Sequence, residues 1–150
     1  MSKFTWRIEN FSKLDVEKIH SHSFFVNGNN WRVSLYPKGN GTDHISVYLE
    51  VQDSSSADWS VPTKFRVSLV NQIDCNETIA MESEHTFNSH ESYWGWAEFV
   101  PLGEFHDEVE GFLVEDTCVI EAEVYFSSLS SDEVIQFDIA CHWLSLFSDF

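Results

Sequence analysis

The sequence predicts an all-β fold, an antiparallel β-sandwich of about eight short strands. Three observations carry this. Aromatic residues are abundant, with 13 Phe, 6 Trp and 4 Tyr in 150 residues, and such side chains suit pleated, half-buried surfaces. Apolar and polar residues alternate in short runs separated by turn chemistry, as strands with one buried face require. No long segment carries the 3.6-residue period of an amphipathic helix, so the strand–helix alternation of a parallel-sheet fold is missing. The length suits one domain and is enough to bury a core without staples.

The strands follow in order. Phe4-Thr5-Trp6-Arg7-Ile8 alternates cleanly. Ser23-Phe24-Phe25-Val26 is a second run, ended by the turn cluster Asn27-Gly28-Asn29-Asn30. Trp31-Arg32-Val33-Ser34-Leu35-Tyr36 alternates again and stops at Pro37, before turn residues Lys38-Gly39-Asn40-Gly41. Residues 44–51 form the fourth run, a polar loop fills 53–60, and 64–70 form the fifth. Residues 77–87 carry a weaker signal, because Ile79, Met81 and Phe87 are unevenly spaced. Trp94-Gly95-Trp96 reads as loop, and Pro101-Leu102-Gly103-Glu104-Phe105 as a short helical turn. Residues 112–114 and 119–126 complete the series. Trp6, Trp31, Phe99 and Phe112 are the expected aromatic core.

The domain is placed at residues 3–126, followed by a C-terminal extension, 127–150. In the extension a polar linker precedes 134–147, where ten of fourteen residues are apolar. That segment is too short to span a bilayer. Ile135, Ile139 and Trp143 would share a helical face, yet a final strand fits equally well. It can pack on its own domain, or it can make a partner or self-association contact.

The net charge is −17, and it is unevenly placed. Residues 1–66 hold all eight Lys and Arg against seven carboxylates, while 67–150 hold eighteen carboxylates and no Lys or Arg. Such a surface repels phosphate, which argues against nucleic acid and anionic membranes as partners. A basic partner would be steered toward it. The three cysteines, Cys75, Cys118 and Cys141, follow no disulfide framework, so buried free thiols are expected. With no apolar signal segment at the N-terminus, a cytoplasmic or nuclear location is expected.

No motif for catalysis or cofactor binding stands out. Pro37-Lys38-Gly39-Asn40-Gly41-Thr42 lacks the Gly-Lys-Ser/Thr ending of a phosphate loop. His20-Ser21-His22 offers two imidazoles on one strand face, too few for a zinc site without further ligands. A non-enzymatic chain without cofactor or metal is the expectation.

Several segments, taken in order, resemble the meprin-and-TRAF-homology (MATH) domain, a TRAF-like fold, and most closely its plant members. They are Phe4-Thr5-Trp6-x-Ile8-x-Asn10-Phe11, Trp31-Arg32-Val33, Tyr36-Pro37-Lys38-Gly39 and Ile45-Ser46-Val47-Tyr48-Leu49. They continue with Phe65-x-Val67-x-Leu69-x-Asn71, Trp94-Gly95-Trp96-x-x-Phe99 and Gly111-Phe112-Leu113-Val114-x-Asp116. The resemblance implies an eight-stranded antiparallel sandwich that binds short linear peptides in a shallow groove. It further implies an adaptor role linked to the ubiquitin pathway or to signalling. By matched position, the implied peptide-binding residues are Tyr48, Phe65, Tyr93, Trp94, Gly95 and Trp96, with Lys38 and His85 as further contacts. Tyr93 stands where the family's adaptors carry an acid, and Trp96 replaces another aromatic, so a more hydrophobic peptide is implied. The alternative is a structural or oligomerisation module acting through residues 134–147.

Overall fold

The computed structural model describes residues 3–52 and 58–125. Nine strands form: β1 (Lys3–Ile8), β2 (Ile19–His20), β3 (Phe24–Val26), β4 (Asn29–Tyr36), β5 (His44–Gln52), β6 (Ser60–Leu69), β7 (Ile79–Asn88), β8 (Tyr93–Pro101) and β9 (Cys118–Tyr125). Among the described residues one short α-helix, α1, spans Leu102–Phe105. The strands build two antiparallel sheets, ordered β1-β9-β6-β7 and β2-β4-β5-β8, with β3 also on β4. The sandwich the sequence predicts is therefore what forms. β2 and β3 lie end to end along one side of β4, pairing Ile19 with Leu35 and Phe24 with Trp31. Nine strands thus fill eight lanes. Between β2 and β3, the Ser21 hydroxyl accepts a hydrogen bond from the Val33 N–H. A side chain there replaces a ladder carbonyl, and β2 itself, Ile19–His20, is only two residues long.

Alternation places the core. Ile45, Val47, Leu49 and Val51 of β5 face inward, against Phe65, Val67 and Leu69 of β6 and Ile120, Ala122 and Val124 of β9. Trp31 is fully buried, and its indole N–H donates to the Val26 carbonyl. Trp6, Phe99 and Phe112 are buried as expected.

Five expectations are corrected, the last of them the free state of Cys75. The turn after β3 is only Asn27-Gly28, both at positive φ (53° and 81°). This geometry suits a two-residue hairpin, so Asn29 and Asn30 join β4. Residues 79–88 form a full ten-residue strand, not a weak one. Trp94-Gly95-Trp96 lies in β8, not in a loop. Residues 112–114 form no strand; Val114 only bridges to Thr117. Of the cysteines, Cys118 is buried and free, whereas Cys75 is disulfide-bonded. Cys141, and the extension 127–150 with the oligomerisation reading attached to it, lie outside the described residues.

The loops explain several motif residues. The Asn71 amide oxygen accepts from the N–H groups of Ile73 and Asp74, and its nitrogen donates to the Glu110 carbonyl. Gly111 has φ +94°, and a Cβ there would sit 2.3 Å from the Asn71 amide oxygen. Asp116 accepts from the Ser12 N–H and hydroxyl, and its carbonyl accepts from the Phe11 N–H. Motifs far apart in sequence are therefore partners across the loop end of the sandwich.

Glu123 lies on the outer face of the β1-β9-β6-β7 sheet yet is only 3% exposed. Burial pushes its carboxyl up to about 7, although Lys3 and Arg66 act in the opposite direction. The folded value exceeds the ordinary 4.5, so the folded state holds this proton more tightly than the unfolded chain. The resulting stabilisation is complete below pH 4.5 and is lost as pH rises through about 7. Glu123→Gln is expected to remove this slope and to raise neutral-pH stability by roughly 1–3 kcal/mol. Urea titrations of both proteins at pH 5 and pH 8 check it; parallel pH dependence would refute it.

Candidate functional site

A tight turn, closed by reciprocal hydrogen bonds between Asn88 and Glu91, carries the chain from β7 in one sheet to β8 in the other. Each is the last strand of its sheet. Among the described residues nothing pairs with the far side of either, so the two edges flank one opening of the sandwich. The Val51 N–H donates to the Ser92 carbonyl. In an antiparallel ladder the bonding direction alternates along each strand. Ser92, Trp94 and Trp96 therefore point their backbone groups at β5, while Tyr93 and Gly95 point theirs at the open edge.

Side chains alternate too. Tyr93 and Gly95 are registered with Glu50 and Tyr48, on the outer face. Tyr36, Tyr48 and Tyr93 form an edge-to-face chain there, with 5.8 Å between successive ring centroids. Asn40 donates to the Tyr48 hydroxyl and holds the ring in place. Beside them Arg32 grips Glu50 with two hydrogen bonds. Burial alone would raise the Glu50 carboxyl, but the bonds from Arg32 and Ser34 prevail and lower it.

Trp94 and Trp96 point toward the sandwich interior, opposite Leu49 and Val47. Trp94 is 42% exposed at the rim and stacks flat on His85 of β7, with centroids 4.0 Å apart and planes 7° apart. Its indole N–H donates to the Ser83 hydroxyl. His85 lies within hydrogen-bond distance of the Glu91 carbonyl. Trp96 is half-buried between Phe65 and Phe99.

The structure thus gathers Tyr48, His85, Tyr93, Trp94, Gly95 and Trp96 around one edge. Phe65 lies beneath it, at 0% exposure, touching Trp96 and Phe87 rather than the surface. Lys38 joins none of these rings; its ammonium faces Asp15, 3.6 Å away, on the solvent side of the β4–β5 turn. Sequence reasoning missed Tyr36, Ser83 and Glu91. Tyr36 was visible within the Tyr36-Pro37 motif, whereas Ser83 and Glu91 gave no signal before the turn from β7 to β8 was known to carry the chain from one sheet to the other.

Gly95 has a structural reason of its own. A Cβ there would fall 2.3 Å from the Val47 carbonyl oxygen and 2.7 Å from the Tyr48 Cα. Beyond Trp96 the register of β8 on β5 shifts, between Ile45 and Val47. The Ala97 carbonyl left unpaired by that bulge accepts from the Thr42 and Ser46 hydroxyls. Gly95→Ala is expected to cost about 1–3 kcal/mol by forcing the strands apart. A urea titration checks this, and an unchanged midpoint would contradict it.

No group of three or more His, Cys, Asp or Glu among the described residues is placed to hold a metal ion. The site instead offers outward backbone groups, aromatic faces and an imidazole.

Comparison with known proteins agrees with this geometry. The family model described as "MATH domain" matches residues 3–124. Ubiquitin C-terminal hydrolase 12 of Arabidopsis thaliana is 46% identical over 124 residues, covering 81% of this chain and 11% of that protein. A MATH domain and coiled-coil domain-containing protein of Arabidopsis thaliana is 40% identical over 124 residues, covering 81% of this chain and 38% of that protein. The chain therefore spans a minor part of these relatives. Among solved structures, TRAF5 of Notothenia coriiceps shares the fold with a TM-score of 0.70 at 18% identity, covering 85% of this chain and 75% of that one. Sandwich topology, a family model reaching from β1 into β9 and plant relatives over the same span together make this chain a member of the MATH domain family.

Proposed function

We propose that this MATH domain, in a family of protein-interaction modules, binds a short linear peptide as an added strand along β8, without catalysis. The observation supporting this reading is the open β8 edge, whose outward backbone groups at Tyr93 and Gly95 are flanked by exposed aromatic rings. An extended peptide gains main-chain hydrogen bonds there, and its alternate side chains meet two different surfaces. One set lies over Gly95, between Tyr48 and Tyr93. The other set meets the Trp94–His85 stack and Trp96. Both surfaces are mainly aromatic, which favours an apolar anchor in the peptide.

A wider role follows from the relatives. A module like this delivers a bound protein to a ubiquitin-handling or signalling assembly, in the cytoplasm or nucleus. The names of the hydrolase relatives support the ubiquitin link.

The test is selection from a randomised linear peptide library on wild type and on the Tyr48→Ala/Trp94→Ala double variant, with folding checked by circular dichroism. Wild type should enrich one motif that the folded variant does not. Equal enrichment by both, or none by either, would sink the groove reading.

A further inference from the structure

We propose that the peptide held along β8 is basic, with a lysine or arginine flanking its apolar anchor and directed at Glu84 and Glu91. This rests on the groove reading above and adds the charge of the ligand to it.

The argument begins with an inventory of charge. From Ile79 to Pro101 the chain carries Glu82, Glu84, Glu91 and Glu98 and no Lys or Arg. This span is β7, the turn after it and β8, the two edges of the groove. Glu82 has partners already, the Arg66 guanidinium and the Tyr125 hydroxyl. No ammonium or guanidinium among the described residues pairs with Glu84, Glu91 or Glu98. Lys64 is registered directly opposite Glu84, yet its ammonium lies over the Tyr125 ring. Lys3, Arg7 and Lys13 lie on or just after β1, the edge of its sheet opposite β7.

The second observation is shape. Pro62, Thr63, Glu84, His85 and Thr86 line a shallow depression of about 390 Å³ on β7. It has room for a long side chain and carries one carboxylate in its wall. It adjoins His85, whose ring is the base on which Trp94 stacks. The Glu91 carboxylate lies 3.8 Å from Nε2 of the same imidazole. Glu84 faces the outer side of β7, so a basic residue flanking an anchor on the Trp94–His85 stack would reach it across the strand edge, whereas Glu91 lies beside the stack itself. A cation arriving there meets carboxylates that no Lys or Arg ammonium or guanidinium among the described residues pairs with, whereas an acidic residue is repelled. The aliphatic stem of Lys or Arg can lie along Pro62 while its head reaches Glu84.

The test is the same randomised linear library, read for charge. Wild type should enrich Lys or Arg at a fixed offset from the apolar anchor and deplete Asp and Glu. The selected peptide should bind Glu84→Gln/Glu91→Gln at least about fivefold more weakly at low salt, with the gap narrowing at high salt. Because that variant could be perturbed, the peptide's own basic residue is also changed to Gln and measured on wild-type protein; the same loss is expected. A motif that needs Tyr48 and Trp94 but shows no basic preference would overturn this inference and leave the groove reading standing. An enriched acidic residue would overturn it likewise. If no motif is enriched, both fall together.

Discussion

Phe65→Ala is expected to lower the unfolding free energy by about 3–5 kcal/mol, the usual cost of removing a fully buried phenylalanine. The ring is 0% exposed and sits at the middle of β6, which is paired on both sides, with Ser83 and Val124 as register partners. Its neighbours Phe87 and Trp96 lie 5.9 and 5.5 Å away between centroids. Both are anchored in strands and cannot collapse into the vacated volume. Urea denaturation measures the change. A loss below about 1 kcal/mol would show that Phe65 is dispensable to packing, and would restore a direct ligand-contact role. This matters because family resemblance alone puts Phe65 in the groove, whereas the structure puts it one layer below.

The Tyr48→Ala/Trp94→Ala variant is expected to behave in the opposite way. Each ring is a candidate anchor, and truncating an interface hot spot costs about 2 kcal/mol or more. Together they should weaken capture of a selected peptide by a factor on the order of a thousand. The fold should survive. Trp94 is 42% exposed, and its main loss is the stack on His85, worth about 0.5–1.5 kcal/mol. Tyr48 loses two edge-to-face contacts and the bond from Asn40. Anisotropy titration of a labelled peptide, beside a denaturation curve, separates the two effects. Full binding by the folded variant would move the site away from β8.

Where one strand face is buried and the other wet, the sequence was easily read. β1, β5 and most of β4 alternate clearly because their inner positions are apolar, and β9 reads as a strand from its apolar, β-branched run. β7 breaks the rule at Ser83 and His85, which point inward at the mouth of the groove. Polar residues at inner positions erase the hydrophobic period, so a ten-residue strand looked like a weak one. β8 was obscured by its bulge at 97–99 and by Gly95, which together resemble loop chemistry. The two strands hardest to read are therefore the two that frame the candidate site, as expected where local rules yield to function. The aromatic site residues were recoverable from family resemblance. That Phe65 is buried and Lys38 stands apart was not, because exposure depends on which strand closes over which.

The pairing of β1 with β9 also sets the order in which the domain can assemble. Lys3 and Glu123 are register partners, as are Ile8 and Cys118. β9 is central in its sheet, since it also pairs with β6. Until the chain has been made through Tyr125, β1 has no neighbour and β6 has one bare side. A growing chain therefore waits in an open half-sandwich, and closure must join its two ends at once. Such non-local closure places folding in the slow range of small domains, milliseconds to seconds. It also leaves β1 and β9, the first and last strands among the described residues, side by side, a convenient geometry for a module set between other segments of a longer protein.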